Sequence, residues 1–329
     1  MLTDNFGRFH NYLRISLTER CNLRCTYCMP LDGIPLSPKS HLMTYEEIYD
    51  IAKTFVDQGV NKIRLTGGEP LVRKDVVTII EKLATLPVNL CMTTNGVIVD
   101  RFIEVFKANG LRQLNISLDS LQAGKNKDIT RRDYFQKVYD NILLLAREGF
   151  EVKVNVVLIQ GFNDNEIADF IRLGKDLPLH IRFIEFMPFD GNRWNMDKLV
   201  SYQQVLSEVN KNFPIDQVIR LNDAPNDTAK NYMIQGYRGS FAIISSVTNP
   251  FCDSCNRIRL TANGRIKNCL FSSGETDILS PFRQGEDIKP LIQQALGSKK
   301  KVRAGMERLE DFKKQGDATD NRSMIAIGG

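Results

Sequence analysis

Six of the seven cysteines fall into two tight groups, Cys21, Cys25 and Cys28, then Cys252, Cys255 and Cys269; Cys91 stands apart. The first group reads C-x3-C-x2-C and the second C-x2-C-x13-C. Thiolates are soft ligands, and three on a short loop suit an iron–sulfur cluster or zinc. Neither group has a fourth cysteine or a histidine beside it. A centre held by three protein ligands keeps a position for an outside ligand, which points to reaction chemistry rather than a closed structural site. Grouped thiols of this kind also argue for metal binding in a reducing compartment over disulfides. Taken alone, the second group suits zinc as well as iron and sulfide. His10, His41 and His180 form no spaced metal set, and Cys91 reads as a small buried filler.

The elements that position these cysteines form a repeat. Candidate strands are Tyr12–Leu17, Lys62–Thr66, Val88–Thr93, Gln113–Leu118, Val152–Leu158 and Ile181–Phe186. Helical patterns lie between them. Thr44 and Glu47 make a capping box, apolar residues follow at Ile48, Ile51, Phe55 and Val56, and Gly59 stops that helix. Further helices fit Val76–Leu83, Arg101–Asn109, Phe135–Arg147 and Ile167–Leu173. Strand–helix units in series argue for a parallel sheet. Eight would close a barrel, whereas six suit a partial barrel or an open doubly wound sheet.

The strands alternate rather than run apolar. Leu13, Ile15 and Leu17 oppose Arg14 and Ser16; Ile63 and Leu65 oppose Lys62, Arg64 and Thr66. Ile116 and Leu118 oppose Asn115, Ser117 and Asp119; Val152, Val154 and Val156 oppose Lys153 and Asn155. Successive side chains point to opposite faces, so one face meets the helices and the other lines a concave polar side. Arg14, Arg64, Lys153 and Arg182 would then converge. Buried cations cluster only with a compensating anion, and a polyphosphate would serve.

Beyond about residue 195 the repeat ends. A helix fits Tyr202–Asn210 and a strand Ser240–Val247. Ile258–Leu260 and Arg265–Lys267 flank Asn263-Gly264, a type I′ hairpin signal that brings Cys269 back toward Cys255. The tail from Ser298 is polar and basic with no core pattern after Phe312, and it ends in Gly328-Gly329. The division expected is residues 1–195 and 196–329.

The first cysteine group, with the aromatic Tyr27 before its last member, resembles the signature of radical S-adenosylmethionine (SAM) enzymes. Gly67-Gly68-Glu69-Pro70 after the second strand resembles their second motif. Over nearly the whole chain the sequence resembles the molybdenum cofactor biosynthesis protein A family. The matching segments are Phe6-Gly7-Arg8, Tyr12–Ser16, Arg64–Pro70, Thr93–Gly96, Ser117–Asp119, Lys153–Asn155, Arg182–Pro188, Asn256–Leu260 and the terminal Gly328-Gly329. The resemblance implies an α/β partial (βα)6 barrel with a smaller C-terminal α+β domain carrying a second cluster. It implies that Cys21, Cys25 and Cys28 hold one [4Fe–4S] cluster and Cys252, Cys255 and Cys269 another. It places SAM on Tyr27, Gly68, Ser117 and Met187, and GTP on Arg14, Arg64, Thr93, Lys153, Arg257, Ile258 and Arg259, with Arg182 a further cavity candidate. The reaction implied takes a hydrogen from the GTP ribose C3′, joins C3′ to C8 of guanine and yields 3′,8-cyclo-7,8-dihydro-GTP, the tail supporting the radical step. Implied partners are a flavodoxin-like or reductase electron donor and the cyclic pyranopterin monophosphate synthase that takes the product; a homodimer is compatible.

Two rivals differ in what they require. A peptide-modifying radical SAM enzyme does not need four buried cations. A zinc protein binding nucleic acid would carry its basic residues on an exposed face with interleaved aromatics. The net charge of +5, with 42% hydrophobic and 25% charged residues, is that of an ordinary globular chain. No apolar run has signal-peptide or membrane-span length, so a cytoplasmic protein is expected, with neither membrane nor nucleic acid as partner. Anaerobically reconstituted protein should hold about eight irons, two cubanes of four. Cys21→Ala should abolish SAM cleavage, whereas Cys255→Ala should leave roughly half the iron, in the first cluster. Stoichiometric zinc without sulfide would contradict this.

Overall fold

The computed structural model describes residues 1–30, 32–313 and 321–328. Six strands alternate with helices in the first half: β1 (Tyr12–Ser16), α1 (Tyr45–Asp57), β2 (Lys62–Thr66), α2 (Val76–Ala84), β3 (Asn89–Thr94), α3 (Ile103–Ala108), β4 (Gln113–Ser117), α4 (Ala123–Thr130), α5 (Phe135–Arg147), β5 (Glu151–Leu158), α6 (Ile167–Leu173) and β6 (His180–Glu185). The second half adds α7 (Tyr202–Asn212), β7 (Val218–Arg220), β8 (Lys230–Ile234), β9 (Ser240–Ile244), β10 (Arg257–Leu260), β11 (Arg265–Lys267), β12 (Thr276–Asp277), α8 (Leu279–Arg283), α9 (Lys289–Gly297), α10 (Leu309–Lys313) and α11 (Met324–Ile327). No helix among the described residues is long and apolar enough to cross a membrane.

Local chemistry explains the helix starts. Thr44 Oγ1 accepts from Glu47 N at 3.2 Å, and Glu47 Oε2 accepts from Thr44 N at 2.7 Å. Ile48, Ile51, Ala52 and Phe55 on one face of α1 are fully buried. On the strands Leu13, Ile15, Ile63, Leu65, Ile116 and Val154 are buried in the same core. Each aliphatic side chain buried there contributes roughly 1.5–3 kcal/mol against exposure. The core therefore lies between sheet and helices, and the other sheet face is left for polar groups.

The sheet has twelve strands in the order β12-β11-β10-β1-β2-β3-β4-β5-β6-β9-β8-β7. The six expected strands lie side by side and parallel, with Arg14 opposite Arg64 and Thr93 opposite Asn115. The second half extends this sheet at both edges: β10 joins β1 and β9 joins β6, both parallel. The expected division at residue 195 thus falls within one continuous sheet, whose outermost strands do not meet.

Two local expectations are corrected. Asn263-Gly264 is not a two-residue type I′ turn. Leu260 pairs with Ile266, Thr261 N donates to Arg265 O at 2.9 Å, and of the two residues only Gly264 takes a positive φ, +67°. This is the three-residue hairpin in which a turn is followed by one left-handed glycine. The tail also has a core contribution after Phe312, since Ile325, Ala326 and Ile327 in α11 are buried. A four-residue helix is too short to show a period in the sequence.

A charged clip ties the N-terminal arm to the second half. Asp4 Oδ2 accepts from Arg8 Nε at 2.6 Å and lies 3.0 Å from His10 Nε2. Arg8 then donates to the carbonyls of Cys252, Lys301 and Lys300 at 2.8, 2.8 and 3.1 Å. Both Asp4 and Arg8 are buried. Removing one member of a buried pair leaves the other uncompensated. Asp4→Ala should lower stability by about 3 kcal/mol in urea unfolding; an unchanged midpoint would show that the clip contributes nothing.

Candidate active site

The inward faces of β1 to β6 and of β10 line one cavity of about 340 Å³. Arg14, Lys62, Arg64, Lys153, Arg182, Arg257 and Arg259 line it, against the carboxylates of Asp119 and Asp227. The four cations expected from strand alternation are brought together, and Lys62, Arg257 and Arg259 join them.

Four of these cations are held by neutral groups. Arg64 Nε donates to Tyr12 Oη at 2.5 Å and its Nη1 to Met92 O at 2.9 Å. Arg182 donates from Nε and Nη2 to Asn155 Oδ1, at 2.9 and 2.6 Å. Arg257 Nη2 donates to Asn226 O at 3.2 Å, and Arg259 Nη1 to Gly328 O at 2.5 Å. Among the described residues none of these four arginines is hydrogen-bonded to a carboxylate. The repulsion is visible in the acidities of Lys153 and Arg182. Burial lowers the pKa of Lys153, and Arg182, Lys62 and Arg64 lower it further. Burial lowers that of Arg182, and Arg64 adds to it. Burial would raise the Tyr12 phenol, but Arg64 and Arg14 bring it down to about 8. A buried set of like charges favours an anionic ligand.

Three buried polar atoms on this wall, Thr93 Oγ1, Asn115 Oδ1 and Arg257 Nη1, have no hydrogen-bond partner among the described residues. Buried polar atoms are ordinarily paired, so these are positions for a ligand.

Cys21, Cys25 and Cys28 lie on the loop after β1, at the carboxyl end of the strands, and line the same cavity. A single turn, with Cys28 N and Met29 N donating to Cys25 O at 3.0 Å each, sets the last two. Burial raises the thiol pKa values, that of Cys21 to about 11 and those of Cys25 and Cys28 higher, with Cys28 and Cys21 adding to the rise at Cys25 and Cys21 to that at Cys28. Such thiols lose their protons when a metal centre binds them. Among the described residues no three His, Cys, Asp or Glu side chains converge to hold one metal ion. A cubane instead spreads its thiolates over separate irons.

The Gly67-Gly68 segment lies flat on the loop that leads to Cys21. Gly67 has φ +150°, a Cβ there would sit 2.7 Å from Thr18 O, and Gly68 N donates to Thr18 O at 2.8 Å. Glu69 faces inward, accepting from Thr94 Oγ1 and Asn95 N at 2.7 Å each; burial raises its pKa to about 7. Tyr27 Oη donates to Asp119 Oδ2 at 2.7 Å, and Asp119 Oδ1 accepts from Val157 N at 2.8 Å. Gly68, Ser117 and Met187 also line the cavity.

The second cysteine group flanks β10 and β11, Cys252 and Cys255 preceding Arg257 and Cys269 following Lys267, and its chain neighbours Phe251 and Leu270 line the cavity. The thiols of Cys269 and Cys255 bear on Cys252, whose pKa burial raises. Lys299 Nζ sits 3.6 Å from Cys255 Sγ, and Arg303 N 3.4 Å from Cys252 Sγ. Burial would raise Cys255, but Lys299 and Arg257 outweigh it and hold that thiol below its ordinary value. These are residues that favour thiolates.

Ile258 departs from its expected place: it is fully buried in the hydrophobic core, on the opposite face of β10 from Arg257 and Arg259. Arg322, on the tail before α11, pairs with Glu275 through two bonds of 2.9 Å. Gly329 lies outside the described residues. Sequence reading passed over Tyr12, Lys62, Asn115 and Asp227 as site residues. Alternation carried the signal for the first three; Asp227 reaches the cavity from an irregular loop and had none.

A parallel α/β sheet with a C-x3-C-x2-C loop at the carboxyl end of its first strand defines the radical SAM class. Residues 15–174 match the Radical SAM superfamily model, and residues 179–304 the Molybdenum Cofactor Synthesis C model. The chain is 49% identical to the mitochondrial GTP 3′,8-cyclase of Arabidopsis thaliana, covering 100% of this chain and 84% of that one. It is 41% identical to the GTP 3′,8-cyclase of Peptoclostridium acidaminophilum, covering 100% and 98%. It is 45% identical to human molybdenum cofactor biosynthesis protein 1 over 99% of this chain, but spans only about half (51%) of that relative's length. Among solved structures, Streptococcus suis SuiB bound to S-adenosylmethionine shares the fold, with a TM-score of 0.64 at 15% identity, over 97% of this chain and 77% of that one. The chain belongs to the radical SAM superfamily and, within it, to the GTP 3′,8-cyclase family of molybdenum cofactor biosynthesis.

The tail offers a direct test of the site. Gly328 ends α11 at φ +77°, and a Cβ there would meet Thr66 Oγ1 at 2.5 Å and Ser16 Cβ at 3.0 Å. Gly328→Ala should therefore unseat the tail. Carboxypeptidase should trim the variant faster than the unmodified protein while iron content stays the same; equal trimming would mean that the tail's fit is immaterial.

Proposed function

We propose that this chain converts GTP to 3′,8-cyclo-7,8-dihydro-GTP, the first step of molybdenum cofactor biosynthesis. The observation that carries the reading is the cationic cavity, held by neutral acceptors and opening on the cysteine loop. Cys21, Cys25 and Cys28 hold a [4Fe–4S] cluster, and Tyr27, Gly68, Ser117 and Met187 contact SAM. When bound, the cluster and SAM would supply one-electron, hydrogen-abstracting radical chemistry at this end of the cavity.

The remaining work is placement and electrostatics. Arg14, Arg64, Lys153 and Arg182 bind the triphosphate, with Thr93, Arg257 and Arg259 completing the nucleotide site. Cys252, Cys255 and Cys269 hold a second [4Fe–4S] cluster, on the base side. Gly328 and Gly329 support the radical step, glycine having no side chain to clash with a close ligand. A flavodoxin-like or reductase donor supplies electrons, and the following synthase of the pathway receives the product. The same reading divides the chain at residue 195 and assigns it to the cytoplasm, and a homodimer is compatible with it.

Charge-assisted bonds to phosphate are among the stronger ones, so Arg14→Ala, Arg64→Ala and Lys153→Ala should each weaken GTP binding about 10- to 100-fold. SAM affinity should change far less. Equal affinity of the unmodified protein for GTP and guanosine would overturn the assignment.

A further inference from the structure

On the wall of the cavity, between its cations, sits one acceptor with nothing to accept. Asn115, at the middle of β4, is 3% exposed, and its Oδ1 has no hydrogen-bond partner among the described residues. Its neighbour across the sheet on one side is Thr93, whose Oγ1 is also unpartnered, and on the other Lys153. Leaving a buried amide oxygen unsatisfied is costly, so a ligand donor belongs there.

The chemistry of that donor can be narrowed. An ionised triphosphate has only acceptors at its oxygens, so it cannot satisfy a carbonyl. A nucleotide offers donors on its ribose hydroxyls and on its base. The base belongs on the side of β10 and the second cysteine group, four strands from β4 in the sheet order. Asn115 stands instead between Lys153, a triphosphate contact, and Ser117, a SAM contact two residues nearer the cysteine loop. What joins triphosphate to reacting carbon is the ribose.

We infer that Asn115 is a specificity-determining residue that accepts a hydrogen bond from a ribose hydroxyl of the nucleotide, with the Thr93 hydroxyl beside it on the same diol. The contact tells a ribonucleotide from its deoxy counterpart. It also fixes the sugar's rotation, so the hydrogen on C3′ faces the radical. This inference rests on the GTP reading above.

The test uses the full chain, anaerobically reconstituted with iron and sulfide and supplied with SAM. Dissociation constants are measured for GTP, 2′-deoxy-GTP, 3′-deoxy-GTP and guanosine, for the unmodified protein, Asn115→Ala and Asn115→Asp. The unmodified protein should favour GTP over one deoxy analogue by about tenfold, the loss of one hydrogen bond to a buried acceptor. In Asn115→Ala that preference should fall to near unity, and SAM cleaved per cyclised product should rise as the sugar loses its orientation. Asn115→Asp keeps an acceptor of the same shape, so it should keep the preference while binding every nucleotide more weakly. Full preference retained in Asn115→Ala, or none in an unmodified protein that still favours GTP over guanosine, would overturn this inference alone. No preference for GTP over guanosine would overturn the nucleotide reading and this inference with it.

Discussion

Like charges confined in a space of low dielectric govern this molecule. Seven basic side chains face one cavity, and opposing them with carboxylates would have filled the site with groups that repel its ligand. The chain orients four of them with a phenol, an amide and backbone carbonyls, which fix direction without cancelling charge. Because the inner sheet face is committed to this, it cannot also be a hydrophobic core. The apolar side chains lie under the helices, and each strand alternates where a packed barrel would have aliphatic residues throughout.

The second half completes the site as well as the sheet. β10 adds Arg257 beside Tyr12 and Arg259 beside Arg14, in direct register. The cysteines lie just before β10 and just after β11, so the second metal-binding group and the cationic wall share a hairpin. The last described residues close the circle: Arg259 donates to Gly328, which rests on Ser16 and Thr66 of β1 and β2.

Much of this was legible in the residues. Alternation in β1, β2, β4 and β5 separated core from cavity, and the capping box at Thr44 and the glycine at Gly59 bounded α1. Both cysteine groups declared themselves by spacing. What could not be read was long-range. Nothing local says that Tyr12 lies beside Arg257, some 245 residues away, because parallel pairing leaves no hairpin signal. β7 and β12 are too short to show a pattern, and Asp227 reaches the cavity from a loop without periodicity. Ile258 was grouped with its arginine neighbours by motif, although alternation alone would have sent it to the opposite face.

The position of β9 and β10 has a consequence for the growing chain. During synthesis the six-stranded half emerges first, with β1 and β6 as bare edges whose amides and carbonyls are open to any extended segment. Those edges are covered only when residues 240–260 leave the ribosome. The interval is one in which the nascent protein can pair with itself or with another copy wrongly, and the long sequence separation makes the closing step slow. Chaperone dependence in the cell would thus arise from strand order, independently of how stable the finished fold becomes.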